Sequence, residues 1–129
     1  MMKKIWSIFL AALLFAGCAA PAEGDSYRQI HMDEAVTIME EESGYLILDV
    51  RTPEEFAEKH IPGAINIPNE TIGTEQIPEL PDKDQLILVY CRSGNRSKQA
   101  SEKLVALGYT NIVEFGGIND WPGETVSGA

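Results

Sequence analysis

Two runs constrain the fold more than any other feature: YLILDV at 45–50 and LILVY at 86–90. Each is apolar at nearly every position, so neither suits a strand with one face in water. They are short for helices and of the right length for strands buried on both faces. Such strands need helices above and below them, and the intervening sequence supplies candidates. MDEAVTIMEEES groups Ala35, Val36, Ile38 and Met39 on one side, with Asp33 near the start, and predicts a helix ending at Gly44. TPEEFAEKH offers Thr52 as cap, Pro53 at the first helical position and two glutamates in the first turn. SKQASEKLVALG spaces Ala100, Leu104 and Leu107 helically and stops at Gly108. AINIP and NIVEF read as short strands, the first stopped by Pro68. TIGTEQIPELPDKDQ is broken by turn formers and admits at most a short helix. The order α-β-α-β-(α)-β-α-β predicts one α/β domain, a mostly parallel sheet with helices on both faces. In such sheets ligands bind beyond the carboxyl ends of the strands. Cys91 lies at one such end, and Asp49 and Arg51 at another.

The N-terminus has a different character. MMKK is a short basic segment, and IWSIFLAALLF is an apolar stretch too short to span a bilayer, which takes roughly 20 residues. Small residues follow in AGCAAPAEG, and the pattern reads as an export signal. LLFAGC resembles a bacterial lipoprotein signal, in which Cys18 becomes the lipidated first residue. Phe15 departs from the usual aliphatic residue in that pattern. An ordinary signal cut near Ala20 or Ala22, leaving a soluble periplasmic or secreted protein, is the alternative. The expected organisation is a signal peptide at 1–17, a lipidated N-terminus and tether at 18–27, a domain at 28–122 and a C-terminal tail at 123–129. The expected location is extracytoplasmic, on a bacterial membrane through the Cys18 anchor alone.

Removing residues 1–17 takes away Lys3 and Lys4 and leaves eight cations against 20 anions, a net charge of −12. Nucleic acid and anionic membrane are poor partners for such a surface. With Cys18 lipidated or cleaved away, Cys91 stands alone, so neither an intramolecular disulfide nor a cysteine-based metal site is expected.

The surroundings of Cys91 reverse the overall charge. In YCRSGNRS the strand delivers the thiol to a loop of Arg92, Ser93, Gly94, Asn95 and Arg96, with a helix expected from about Ser97. Small residues let the loop curl, and glycine permits positive φ. A curled loop before a helix turns backbone N–H groups inward and forms an anion nest, to which the helix N-terminus adds positive potential. Arg92, Arg96 and Lys98 place three of the eight cations within seven residues. Such a field favours a thiolate over a thiol, and the thiolate is the nucleophile in covalent catalysis. The plainer alternative is a strand-end cysteine before a solvated basic turn. The coincidence of strand, thiol, glycine loop, cations and helix start favours a site.

CRSGNRS resembles the active-site loop of rhodanese domains, sulfurtransferases that carry sulfane sulfur as a cysteine persulfide. LDVRTPEEF with HIPGAINIP resembles the N-terminal signature of that family, and GGINDW its C-terminal one. The similarity runs from about residue 28 to 122. It implies a rhodanese-like fold and a persulfide on Cys91, formed from an anionic donor such as thiosulfate with release of sulfite. A thiol or cyanide would then accept the sulfur. It implies substrate contacts from Arg92, Ser93, Gly94 and Asn95, with their backbone N–H groups around the outer sulfur. Arg96 would brace the loop or stabilise the thiolate, and no metal or organic cofactor is needed. A monomer is expected. Related phosphatases carry C-x5-R where this chain has C-x4-R, and the shorter loop resembles the sulfur-transferring branch. A non-catalytic binding or sensing module, or a phosphatase or arsenate reductase, are the competing readings.

The remaining polar residues are expected to support the site. Asp49 and Arg51 suit a structural ion pair, and Ser97 would support the loop. His60 is read as a turn anchor, since a stabilised thiolate needs no base. His31 is read as exposed or capping, and Phe115 and Trp121 as packing.

Overall fold

The computed structural model describes residues 26–129; the expected export signal and Cys18 lie outside them. Five parallel strands form one sheet: β1 (Arg28–Gln29), β2 (Leu46–Asp49), β3 (Ile65–Asn66), β4 (Ile87–Cys91) and β5 (Ile112–Gly117). Their spatial order is β1-β5-β4-β2-β3, which puts LILVY at the centre and YLILDV beside it. Both apolar runs are therefore interior strands, with every residue of β4 and all but Leu46 of β2 buried, as their sequence requires.

Three helices cover the sheet: α1 (Met32–Glu41), α2 (Pro53–Glu58) and α3 (Asn95–Ala106). The two-residue alternation of the strands separates two cores. Ile87, Val89 and Cys91 of β4 face Ala100 and Leu104 of α3, together with Ile72, Leu80 and Tyr109. Leu88 and Tyr90 face the other way, onto Ala35 of α1 and Phe56 of α2. In β5, Val113 and Phe115 join the α1/α2 side, which leaves Glu114 on the face of Cys91 and α3.

The local rules for α2 hold closely. Glu55 N–H donates to Thr52 Oγ1 at 3.2 Å, and Thr52 N–H donates to Glu55 Oε1 at 3.0 Å, with Pro53 opening the helix. α1 ends at Glu41, three residues before the expected stop at Gly44. The acidic run Glu40–Glu42 faces the negative end of the helix dipole there, and Glu42 turns to extended backbone. α3 starts at Asn95, two residues earlier than expected, because Gly94 at φ 113° makes the break by itself. Asn95 and Arg96 thus belong to the first turn of the helix. β1 went unforeseen: its two residues are exposed, so no apolar run marks it, and only its pairing with Val113 and Glu114 makes it a strand. The segment at 71–85 contains no helix apart from Thr71, the last residue of a 3-10 turn at Asn69–Thr71.

Residues 123–129 double back onto α2. His60 and Val126 exchange backbone hydrogen bonds at 2.8 and 2.9 Å, and Gly128 N–H donates to Ala57 O at 2.8 Å. Among the described residues no helix is long and apolar enough to cross a membrane.

Candidate active site

Cys91 closes the central strand. The register between β4 and β5 shifts between Val89 and Cys91, so that Cys91 pairs with Gly117. Irregularities of this kind re-aim a side chain at a strand end. The thiol is buried, with 1% of the residue exposed. Gly94 N–H donates to Sγ at 3.0 Å, and Sγ lies 3.5 Å from Ser97 Oγ. The chain therefore curls around the sulfur and enters α3 directly above it. An anionic sulfur here meets a backbone donor and the positive end of a 12-residue helix.

The loop needs space on its far side. The Arg92 carbonyl accepts from Asn119 N–H at 3.2 Å and runs against Gly117 so closely that a Cβ there would fall 2.0 Å from it. A Cβ on Gly94 would stand 3.7 Å from Gly116 Cα. The GG of GGINDW is thus the floor on which the cysteine loop rests.

Arg92, Ser93 and Asn95 are exposed, and Gly94 is buried beneath them. Arg92 borders a cavity of about 190 Å³ shared with Arg51, Glu55, Glu58, Lys59, Ile118 and Asn119. Arg96 points its guanidinium at Glu55, with Nη1–Oε1 at 2.8 Å and Nη2–Oε2 at 3.2 Å. This fork ties the first turn of α3 to α2. The Arg96 hydrogen bond holds the Glu55 carboxyl down at about 2, against an ordinary 4.5, with the Thr52 cap adding to the effect.

Asp49 and Arg51 pair with each other beneath the site. Arg51 Nη2 lies 2.7 Å from Asp49 Oδ2, and the same guanidinium nitrogen donates to Lys59 O at 2.7 Å. Tyr90 Oη donates to Asp49 Oδ2 at 2.7 Å and accepts from Ile61 N–H at 3.1 Å. Burial, then the Asp49 hydrogen bond, raises the Tyr90 phenol above its ordinary range. The network is closed to solvent and joins β2, β4 and the segment after α2. A buried charge pair is tolerated only when satisfied in this way.

His60 stacks on Phe56 with ring centroids 3.7 Å apart, and its Nδ1 lies 2.8 Å from Phe56 O. His31 precedes α1, where its N–H donates to Glu34 Oε1 at 3.1 Å. Phe115 is buried against Tyr90, and Trp121 Nε1–H donates to Glu124 O at 2.9 Å. Sequence reasoning missed three participants. Glu55 was read only as a helix-start residue, although the capping box already marks it as fixed in place. The Tyr90 hydroxyl was hidden inside an apolar run. Glu114, 3% exposed, accepts from Ser97 Oγ–H and from Gly116 N–H at 2.9 Å. A glutamate inside the strand NIVEF was the available signal.

Fold and site together define a single-domain parallel α/β protein built around a loop-cradled cysteine at the end of its central strand. Known proteins share the fold. The chain belongs to the rhodanese-like domain family, whose pattern matches residues 31–124. It is 41% identical over 73 residues to thiosulfate sulfurtransferase PspE of Escherichia coli, covering 57% of this chain and 70% of that one. It is 32% identical over 107 residues to thiosulfate sulfurtransferase GlpE of Pseudomonas entomophila, covering 79% and 94%. Among solved structures it resembles an E. coli rhodanese with anions (TM-score 0.59, 40% identity, 65% of this chain and 99% of that one). It also resembles a rhodanese-like domain protein of Staphylococcus aureus (TM-score 0.66, 32% identity, 79% and 99%).

Proposed function

We propose that this rhodanese-type sulfurtransferase moves sulfane sulfur from an anionic donor such as thiosulfate to a thiophilic acceptor through a persulfide on Cys91. The observation that carries the reading is the cradle of Cys91 Sγ, with Gly94 N–H at 3.0 Å and the start of α3 above it. The Cys91 thiolate attacks the outer sulfur of thiosulfate, a new S–S bond forms, and the electrons of the old one leave with sulfite. A thiol or cyanide then attacks the outer persulfide sulfur and restores the Cys91 thiolate. Backbone N–H groups at 92–96 receive the anionic sulfur, and Arg92 holds the donor beside the small cavity. Preorganised donors of this kind supply a large share of catalysis. Arg96 positions the loop through Glu55, and Asp49, Arg51 and Ser97 support it. The relatives named thiosulfate sulfurtransferase support the choice of donor.

Steady-state transfer from thiosulfate to cyanide tests the reading. The wild-type chain is expected to turn over, and Cys91→Ser to be inactive; a serine variant with undiminished turnover overturns the proposal. Export and lipidation at Cys18 form the other part of the proposal, supported by the MMKK and LLFAGC segments. Its test is the intact mass of the protein made in a bacterial host. A diacylglyceryl mass on Cys18 is expected, and a chain cut near Ala20 or Ala22 contradicts it.

A further inference from the structure

Glu114 is a buried carboxylate on the same sheet face as Cys91, and the persulfide chemistry described above does not use it. Glu114 of β5 pairs with Val89 of β4, two residues before Cys91, and Ser97 of α3 reaches both side chains on that face of the sheet. Ser97 Oγ has a single proton. Its nearest acceptor is Glu114 Oε2, with Gly116 O farther off at 3.4 Å. Ser97 Oγ is then free to accept from the Cys91 thiol at 3.5 Å. Glu114 forms no ion pair among the described residues, and its charge is met by the Ser97 hydroxyl and Gly116 N–H.

We propose that Cys91, Ser97 and Glu114 form a proton relay in which Glu114, acting through Ser97, takes the thiol proton when Cys91 becomes the nucleophile. The inference rests on the sulfur-transfer reading. The thiol proton moves to Ser97 Oγ as the hydroxyl proton moves to Glu114 Oε2, so one O–H forms on the carboxylate and one S–H is broken. No electrons are exchanged. The buried site carries one negative charge before and after, moved from Oε2 to Sγ. There Gly94 N–H and the α3 N-terminus receive it.

The titratable and charged groups around Glu114 come from every neighbouring element. Tyr27 lies before β1, His31 at the start of α1, Lys98 in α3, Asp120 after β5, and Cys91 in β4. None of these but Cys91 shares a hydrogen-bonded path with the carboxylate through Ser97.

The test is the pH profile of Cys91 capture by iodoacetamide, an uncharged reagent, in the full-length chain. Peptide mass spectrometry resolves Cys91 from Cys18. An internal acceptor makes the reactive form independent of pH across neutrality, so the wild type is expected to show a plateau. Glu114→Gln keeps the size and hydrogen bonding but cannot take the proton. Its rate is expected to start on the order of tenfold lower at pH 7 and to climb about tenfold per pH unit toward the wild-type value. Ser97→Ala is expected to show the same slope and decides the matter if Glu114→Gln does not fold. A Glu114→Gln profile parallel to the wild type overturns the relay. So does a variant faster than wild type at all pH values, in which the carboxylate merely repels the thiolate. Persulfide loading by thiosulfate, followed over the same pH range, is expected to give the same two profiles. A wild type that is alkylated yet never loads sulfur sinks the sulfur-transfer reading and leaves the relay standing on the alkylation profile.

Discussion

Replacing Gly117 by alanine puts the loop geometry under the most direct strain. Gly117 has φ −144° and ψ 159°, ordinary extended backbone that alanine adopts freely, so the cost comes from contact alone. The new Cβ would stand 2.0 Å from Arg92 O, 2.3 Å from Arg92 C and 2.6 Å from Ser93 N. All three are backbone atoms and cannot swing aside as a side chain would. The Arg92–Ser93 peptide has to withdraw by about 1 Å before the contact resembles a real one. It takes with it the bond from Asn119 N–H at 3.2 Å and, one residue on, the Gly94 N–H that meets Cys91 Sγ at 3.0 Å. A hydrogen bond lengthened by that amount is no longer one. A reacting group misplaced by about 1 Å costs on the order of 10²-fold in rate, while the overpacking itself costs about 1–3 kcal/mol of stability. The assay is the single-turnover rate of sulfur loading on Cys91, with thermal unfolding alongside. Gly116→Ala is the contrast: at φ 99° it strains the backbone, yet its Cβ meets nothing within 4 Å. It should lose about 1–2 kcal/mol from the left-handed conformation and keep far more of the loading rate. A Gly117→Ala variant that loads sulfur within about twofold of wild type would refute the claim that GG is a steric floor for the loop.

Other perturbations act on the supports. Asp49→Ala strands the buried Arg51 guanidinium and removes the acceptor of Tyr90 Oη, so chemical denaturation should show a loss of about 3–5 kcal/mol; a near-neutral change would contradict the buried network. Glu55 titrates at about 2 folded against 4.5 for the free group, so its stabilisation is complete above pH 4.5 and lost as pH falls through 2. Because the pair is partly exposed, the wild type should exceed Glu55→Gln by only about 1 kcal/mol at pH 6, and urea unfolding should show the gap closing in acid. Aryl phosphate hydrolysis should be absent, since the Arg96 guanidinium is forked onto Glu55; Cys91-dependent release of phosphate would revive the phosphatase alternative.

The legible parts of the fold were those governed by local chemistry. The apolar runs gave the two central strands, the Thr52–Pro53 start gave α2, and Gly108, at φ 102°, ends α3 as expected. What escaped depends on contacts between distant segments. β1 is a strand only because β5 lies beside it, and Arg28 and Gln29 carry no apolar signature. The Cys91 loop was readable because its strand, glycine and cations are contiguous. Glu55, Glu114 and the Tyr90 hydroxyl reach the site across 41, 17 and 41 residues of chain, to Arg96, Ser97 and Asp49 respectively. No spacing rule pairs residues so far apart. The same distance explains Arg96: a cation one residue before the expected helix start was readable, but its carboxylate partner on α2 was not.

The central claim is that Cys91 itself carries the sulfur. Peptide mass spectrometry of the full-length chain after brief exposure to thiosulfate measures this directly. The account predicts one added sulfur on the peptide containing Cys91, removed by cyanide and absent from Cys91→Ser. An unmodified Cys91 peptide in a chain that still transfers sulfur, or an added sulfur that survives in Cys91→Ser, would contradict it.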